Sequence, residues 1–86
     1  MKTLEQLRDE VDRADDAIAD ALAARFAATD EIGRVKHAHG DAVVVPEREH
    51  EIVDRVAAKL PRELAEAVWR EIFRLSKSRQ NGERPR

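Results

Sequence analysis

Arg25 and Lys36 are the residues of this chain whose type and spacing most suggest chemistry. Apolar side chains recur at Leu4, Leu7, Val11, Ala14, Ile18 and Ala21, then at Ala28, Ile32 and Val35, in alternating steps of three and four. The one position missing from that series is held by Arg25. A guanidinium on an apolar seam costs free energy unless an anion pairs with it. Lys36 follows three turns later, within about 20° of the same helix face, with Thr29 and Ile32 between them. Two cations on one partly apolar face describe a pocket for a dianion. The plainer alternative pairs Arg25 with Asp20, Asp30 or an acid of another chain, its stem lying along apolar surface. Near the other end, Ser76 and Gln80 are one turn apart and continue the face begun by Trp69, Ile72 and Phe73. Taken alone, they read as the polar end of an amphipathic helix.

Other kinds of site are poorly supplied. His37 and His39 stand two apart on a helix and face away from each other, and His50 is isolated, so no metal is expected. There is no Gly-rich phosphate loop and no Ser-His-Asp order or spacing. With no cysteine, disulfides and thiolate metal sites are excluded. Charged residues make up 40% of the chain, but the signs are interleaved and the formal net charge is −2, which argues against a nucleic-acid surface. Only the tail after Arg79 is locally basic, and Asn81-Gly82 with Pro85 make residues 81–86 an expected flexible end. No apolar stretch approaches the ~20 residues of a membrane span, and the N-terminus lacks the apolar region of a signal peptide. The expectation is a cytoplasmic protein with neither membrane nor nucleic acid as partner.

The elements that must position these residues are helical. Ala, Leu, Glu and Arg dominate, and the one β-branched run is Val43-Val44-Val45. Thr3-Leu4-Glu5-Gln6 fits a capping box. No proline appears before Pro46, and Gly40 is placed to end the helix. The spacing therefore predicts one helix from Leu4 to His39, about 54 Å long. A compact domain of this size has a radius of gyration of ~12 Å. One end of the helix must project with its apolar stripe uncovered, and a second copy of the chain is the simplest cover. Pro46 suits the first turn of a second helix, with Glu47 and Glu49 favoured by its dipole. Ile52, Val53, Val56 and Leu60 give that helix an apolar face, and Pro61 stops it. A third helix starts near Pro61, buries Leu64, Val68, Trp69, Ile72, Phe73 and Leu75, and ends at Asn81-Gly82. The expected fold is all-α, a single domain over residues 1–86 with one long, one short and one medium helix.

In order along the chain, these residues resemble the all-helical chorismate mutase family. The resemblance rests on Leu7-Arg8, Val11-Asp12, Asp15, Ile18, Leu22 and Arg25, then Ile32-Gly33 and Lys36. It continues through Pro46 and Arg48-Glu49 to Ser76 and Gln80, and covers about residues 4–80. Each element is weak alone; their order and separations together are specific. The resemblance implies an intertwined homodimer that converts chorismate to prephenate, a step of the shikimate pathway, without any cofactor. It implies that Arg8 reaches into the neighbouring chain's site, and that Arg8 and Arg25 hold the two carboxylates, helped by Ser76 and Arg48. Lys36 and Gln80 would hydrogen-bond the ether oxygen, and Glu49 would lie near the ring hydroxyl.

Two departures from the family pattern stand out. Val45 lies three residues before Arg48, where many relatives carry an acid. A hydrophobic residue there is found in small mutases that need a larger shikimate-pathway synthase for full activity, which makes such a synthase a candidate partner. The connection Lys59-Leu60-Pro61-Arg62 is also shorter than usual. Rival readings on the same fold are an aminodeoxychorismate mutase and an isochorismate pyruvate-lyase. From another class, the chain could serve as a non-catalytic helical dimerisation module.

Overall fold

The computed structural model describes residues 1–40 and 45–82. Val43, Val44 and the tail from residue 83 lie outside the described residues. Three helices follow in order: α1 (Leu4–His39), α2 (Pro46–Val56) and α3 (Arg62–Gln80). No strand occurs among the described residues, as the composition predicts.

Both ends of α1 are closed as expected. The Thr3 hydroxyl accepts from the Gln6 amide at 3.1 Å, and the Gln6 side chain accepts from the Thr3 amide at 2.9 Å. At the far end Gly40 turns left-handed at φ 72°, and its N–H reaches the carbonyls of His37 and Lys36. Lys36, His37 and His39 stand in the last turn, where the helix dipole favours cations.

The second helix is shorter than its apolar spacing predicts. It ends at Val56 rather than running to Leu60. The amides of Ala58 and Lys59 bond the carbonyls three residues back, at 3.3 and 3.0 Å, so the last turn tightens before Pro61. Pro61, at φ −51° and ψ 136°, then starts α3. Arg62 bridges to Asp54 at 2.8 Å across this turn, an exposed pair that contributes little stability.

Helix α3 is the centre of the packing, with α1 on one side and α2 on the other. Its covered line is Ala65, Trp69, Ile72 and Ser76, spaced four, three and four apart, with Ala65, Ile72 and Ser76 buried. This corrects the expected buried side. Leu64 and Val68 sit roughly 60–100° around the helix from that line and are exposed, and Leu75, on the same flank, is only partly covered. Phe73 lies on the opposite flank and is partly covered.

The chain is elongated, 56 × 24 × 20 Å with a radius of gyration of 15.9 Å. The excess over a compact domain comes from α1. Every residue from 1 to 21 is exposed, including Leu7, Val11 and Ile18, the last two at 57% and 55%. Only from Leu22 onward does α3 begin to cover the helix. No described helix is long and apolar enough to cross a membrane.

Candidate functional site

Where the covered half of α1 meets α2 and α3, a cleft of about 260 Å³ opens. Helix α1 contributes Arg25, Thr29, Ile32 and Lys36 to its wall. Val45, which caps α2, and Arg48, Glu49 and Ile52 within it line a second side. Phe73, Ser76, Lys77 and Gln80 of α3 line the third. The cleft is thus built by all three helices, and its size suits a small metabolite rather than a large ligand.

Arg25 is the best-defined side chain in it. Its Nη1 donates to the Ser76 hydroxyl at 3.1 Å, and the guanidinium carbon lies 5.7 Å from the centre of the Phe73 ring. Burial, and secondarily the positive charge of Arg48, lower its pKa from the ordinary arginine value. The guanidinium stays charged, since arginine does not lose its proton in proteins. Neither acid of its own chain proposed as a partner holds it: Asp30 is taken by Arg79 at 2.5–3.0 Å, and Asp20 makes no ion pair among the described residues. A half-buried cation next to another cation is a site that gains by receiving an anion.

Lys36 is also partly buried and is in no ion pair among the described residues. Glu49, the one acid among the described residues of the wall, is held by Lys77 at 3.3 Å, which fixes it on the α2–α3 side. Arg48 is exposed and makes a long contact, 3.3 Å, to Glu51. Ser76 is 6% exposed, and since its oxygen accepts from Arg25, its proton is left to donate toward a ligand.

Gln80 is oriented by α1. Its Nε2 donates to the Thr29 carbonyl at 2.7 Å, which fixes the direction of the amide, because its Oε1 could not face another carbonyl. One N–H of the amide is left for a ligand. The Gln80 backbone carbonyl, an orphan at the end of α3, accepts from His37 Nε2 at 2.8 Å. His37 therefore ties two helices together.

The cleft brings together seven of the eight residues singled out in the sequence: Arg25, Lys36, Val45, Arg48, Glu49, Ser76 and Gln80. Arg8 does not line it; it lies on the projecting half of α1 and is exposed. Sequence reasoning named Gly33 within the family pattern but gave it no part in the site, and it missed Lys77 and the part played by His37. Gly33 carried a signal, because glycine inside a helix costs about 1 kcal/mol relative to alanine and often marks close approach. Nothing separates Lys77 from any other exposed lysine before the fold is known. Among the described residues, no group of three or more potential His or carboxylate ligands could hold a metal.

The sequence matches the family model for chorismate mutase type II over residues 7–81. Among curated proteins it is similar to the T-protein of Enterobacter agglomerans, 36% identical over 83 residues, which is 91% of this chain and 22% of that protein. It is also similar to the T-protein of Haemophilus influenzae, 31% identical over 86 residues, or 94% of this chain and 23% of the relative. The chain thus spans less than a quarter of the length of these relatives. No solved structure matches it.

Proposed function

Because the chain belongs to the chorismate mutase type II family, we propose that it rearranges chorismate to prephenate in the cleft between its three helices. The observation that carries this reading is Arg25. It is a half-buried cation, anchored by Ser76 and Phe73 and without an acid partner among the described residues, facing the same cleft as Lys36 and Gln80. Such a wall binds a dianion and offers donors to a third oxygen. Among the described residues, no His lines it to shuttle protons.

The proposed reaction needs no proton shuttle. In the Claisen rearrangement the ether C–O bond breaks as a C–C bond forms, and no atom enters or leaves. In this reading Arg25 and Ser76 hold one carboxylate and Arg8 of the partner subunit, with Arg48, holds the other. Holding both ends populates the folded chair from which the bonds exchange, which is an orientation effect. Lys36 and the free N–H of Gln80 meet the ether oxygen, where negative charge grows as its bond stretches. A donor aimed at such an oxygen is typically worth 10²- to 10³-fold in kcat (~3–4 kcal/mol). Glu49, steadied by Lys77, faces the ring hydroxyl.

The uncovered stripe of α1 supports a homodimer as the working form, with the long helices side by side. Val45 in the cleft wall supports a larger synthase as a partner that raises activity. The test is loss of chorismate absorbance with purified protein, run beside aminodeoxychorismate and isochorismate. Turnover of chorismate to prephenate is the expected result. Failure to turn it over, together with indifference of the protein to Arg25→Ala, would make the chain a non-catalytic dimerisation module.

A further inference from the structure

Thr29, Gly33 and His37 are spaced four apart along α1, and all three meet one residue of α3, Gln80. Thr29 receives its side-chain amide and His37 holds its backbone carbonyl. Between them the backbone of Gly33 is buried directly beneath Gln80. A Cβ added to Gly33 would lie 2.9 Å from Gln80 Cγ, 3.1 Å from its Cβ and 3.3 Å from its Cα. Those atoms are the base of the residue and its backbone, not a flexible tip. The added methyl could be accepted only if α1 and the last turn of α3 move apart by some tenths of an ångström.

Conformation does not explain the glycine. The glycines with positive φ are Gly40 and Gly82, so Gly33 has ordinary helical backbone and is distinguished by space alone. From this juxtaposition we propose that Gly33 is a positioning residue: the missing side chain sets how deeply α3 seats on α1, and so where the free N–H of Gln80 points. With one N–H held on Thr29, the planar amide can correct a shift of its own Cα only by lengthening or bending that bond or by leaving its present rotamers. The proposal rests on the mutase reading, in which that N–H meets the ether oxygen.

The test compares Gly33→Ala in two backgrounds. In the otherwise native protein kcat should fall roughly 10- to 100-fold, as expected for a sub-ångström to 1 Å misplacement, while KM changes little because Arg25 and Ser76 are untouched. In the Gln80→Ala background the same substitution should leave kcat where it was, there being no amide to misplace. Equal losses in both backgrounds would mean a general packing defect and overturn the proposal. The side-chain ¹⁵N–H₂ pair of Gln80, assigned by its loss in Gln80→Ala, gives a readout that needs no turnover. Its resonances should move in Gly33→Ala, and unmoved resonances would overturn the proposal. If chorismate is not a substrate at all, the mutase reading falls while this spectrum still decides whether Gly33 sets Gln80. Should Gly33→Ala not fold, His37→Ala frees the Gln80 carbonyl without adding atoms and should give the same dependence on background, with a smaller loss.

Discussion

Up to Ala21 every residue of α1 is exposed, whereas from Leu22 onward one side of the same helix is partly covered by α3 and supplies Arg25, Thr29, Ile32 and Lys36 to the cleft. The apolar period runs through both halves without a change of phase. What differs is purity. In the first half the stripe is wholly apolar, and in the second it is broken by Arg25. An unbroken stripe with nothing of its own chain on it asks for another helix as cover. A stripe broken by a cation asks for a ligand. On the proposed reading, one helix carries an association surface at one end and a binding surface at the other.

The largest effect should come from breaking the first half. Val11→Asp with Ile18→Asp would alter a lone chain little, since exposed substitutions usually stay within about 0.5 kcal/mol. In a dimer seam each carboxylate carries a desolvation penalty of several kcal/mol. Sedimentation velocity should show a monomer, and turnover should drop to background. An active dimer would mean that the stripe has a different use.

Next is Arg25→Ala, in the second half. In the proposed complex Arg25 pairs with a substrate carboxylate, and truncating one partner of such a desolvated pair costs about 2–5 kcal/mol, so kcat/KM should fall by roughly two to three orders of magnitude in steady-state assays. Mixing this variant with Arg8→Ala joins the two halves in one experiment. If Arg8 serves the neighbouring chain, each mixed dimer holds one intact site, and an equal mixture should recover about a quarter of native activity after random exchange in a two-fold dimer. No recovery after confirmed exchange would place Arg8 outside the site.

Lys36→Ala should lower kcat roughly 100-fold or more, and kcat/KM with it, because its contact strengthens as charge develops. A change in KM alone would reduce Lys36 to a binding contact. Gln80→Glu gives a smaller, pH-dependent effect. At neutral pH a carboxylate would oppose the developing charge and also face the Thr29 carbonyl, which now accepts at 2.7 Å. Protonated, it carries a single O–H, which could donate to the reacting oxygen in place of the Gln80 amide. The ratio of variant to native activity should therefore rise as pH falls toward the ordinary glutamic acid pKa of about 4.3, and a flat ratio from pH 4.5 to 8 would remove Gln80 from the reacting oxygen.

The smallest effect concerns Asp30, which anchors the end of α3 from outside the cleft. The hydrogen bonds and charge of Arg79 hold its pKa below the ordinary aspartate value. A lowered native pKa means the pair stabilises the fold above the unfolded value, and that this contribution fades as pH falls through the native one. Asp30→Asn should thus lower Tm slightly at pH 7, by thermal melts, and the gap to the native protein should close below about pH 3.9.

How far the sequence could be read follows from which interactions are local. The limits of α1 were legible because Thr3, Gln6 and Gly40 act within a few residues of themselves. The end of α2 was not, since Leu60 keeps the apolar spacing while the backbone tightens toward Pro61. On α3, Leu64 and Val68 are as apolar as Ile72, and only the placement of α1 and α2 decides which flank is covered. In the cleft, Arg25 and Lys36 could be paired by helix geometry alone. That Ser76 and Gln80 share their cleft depends on contacts spanning 51 residues, Arg25 with Ser76 and Thr29 with Gln80, and only the family resemblance pointed there. The contact of Gly33 with Gln80 lies beyond both, because it is a matter of interhelical depth.

The crowding of cations around the cleft bears on how a ligand arrives as well as on how it is held. The whole chain carries a formal charge of −2 and should, by that measure, repel a dianion. Yet among the described residues the cleft wall presents Arg25, Lys36, Arg48 and Lys77 against Glu49 alone. Screening in ~0.1 M salt acts over ~10 Å, much less than the 56 Å length of the molecule. An approaching anion therefore responds to the local wall and is blind to the acids spread along the rest of α1. The encounter is steered by a small positive mouth on a negative body, a field that salt can weaken at entry while the seated contacts persist.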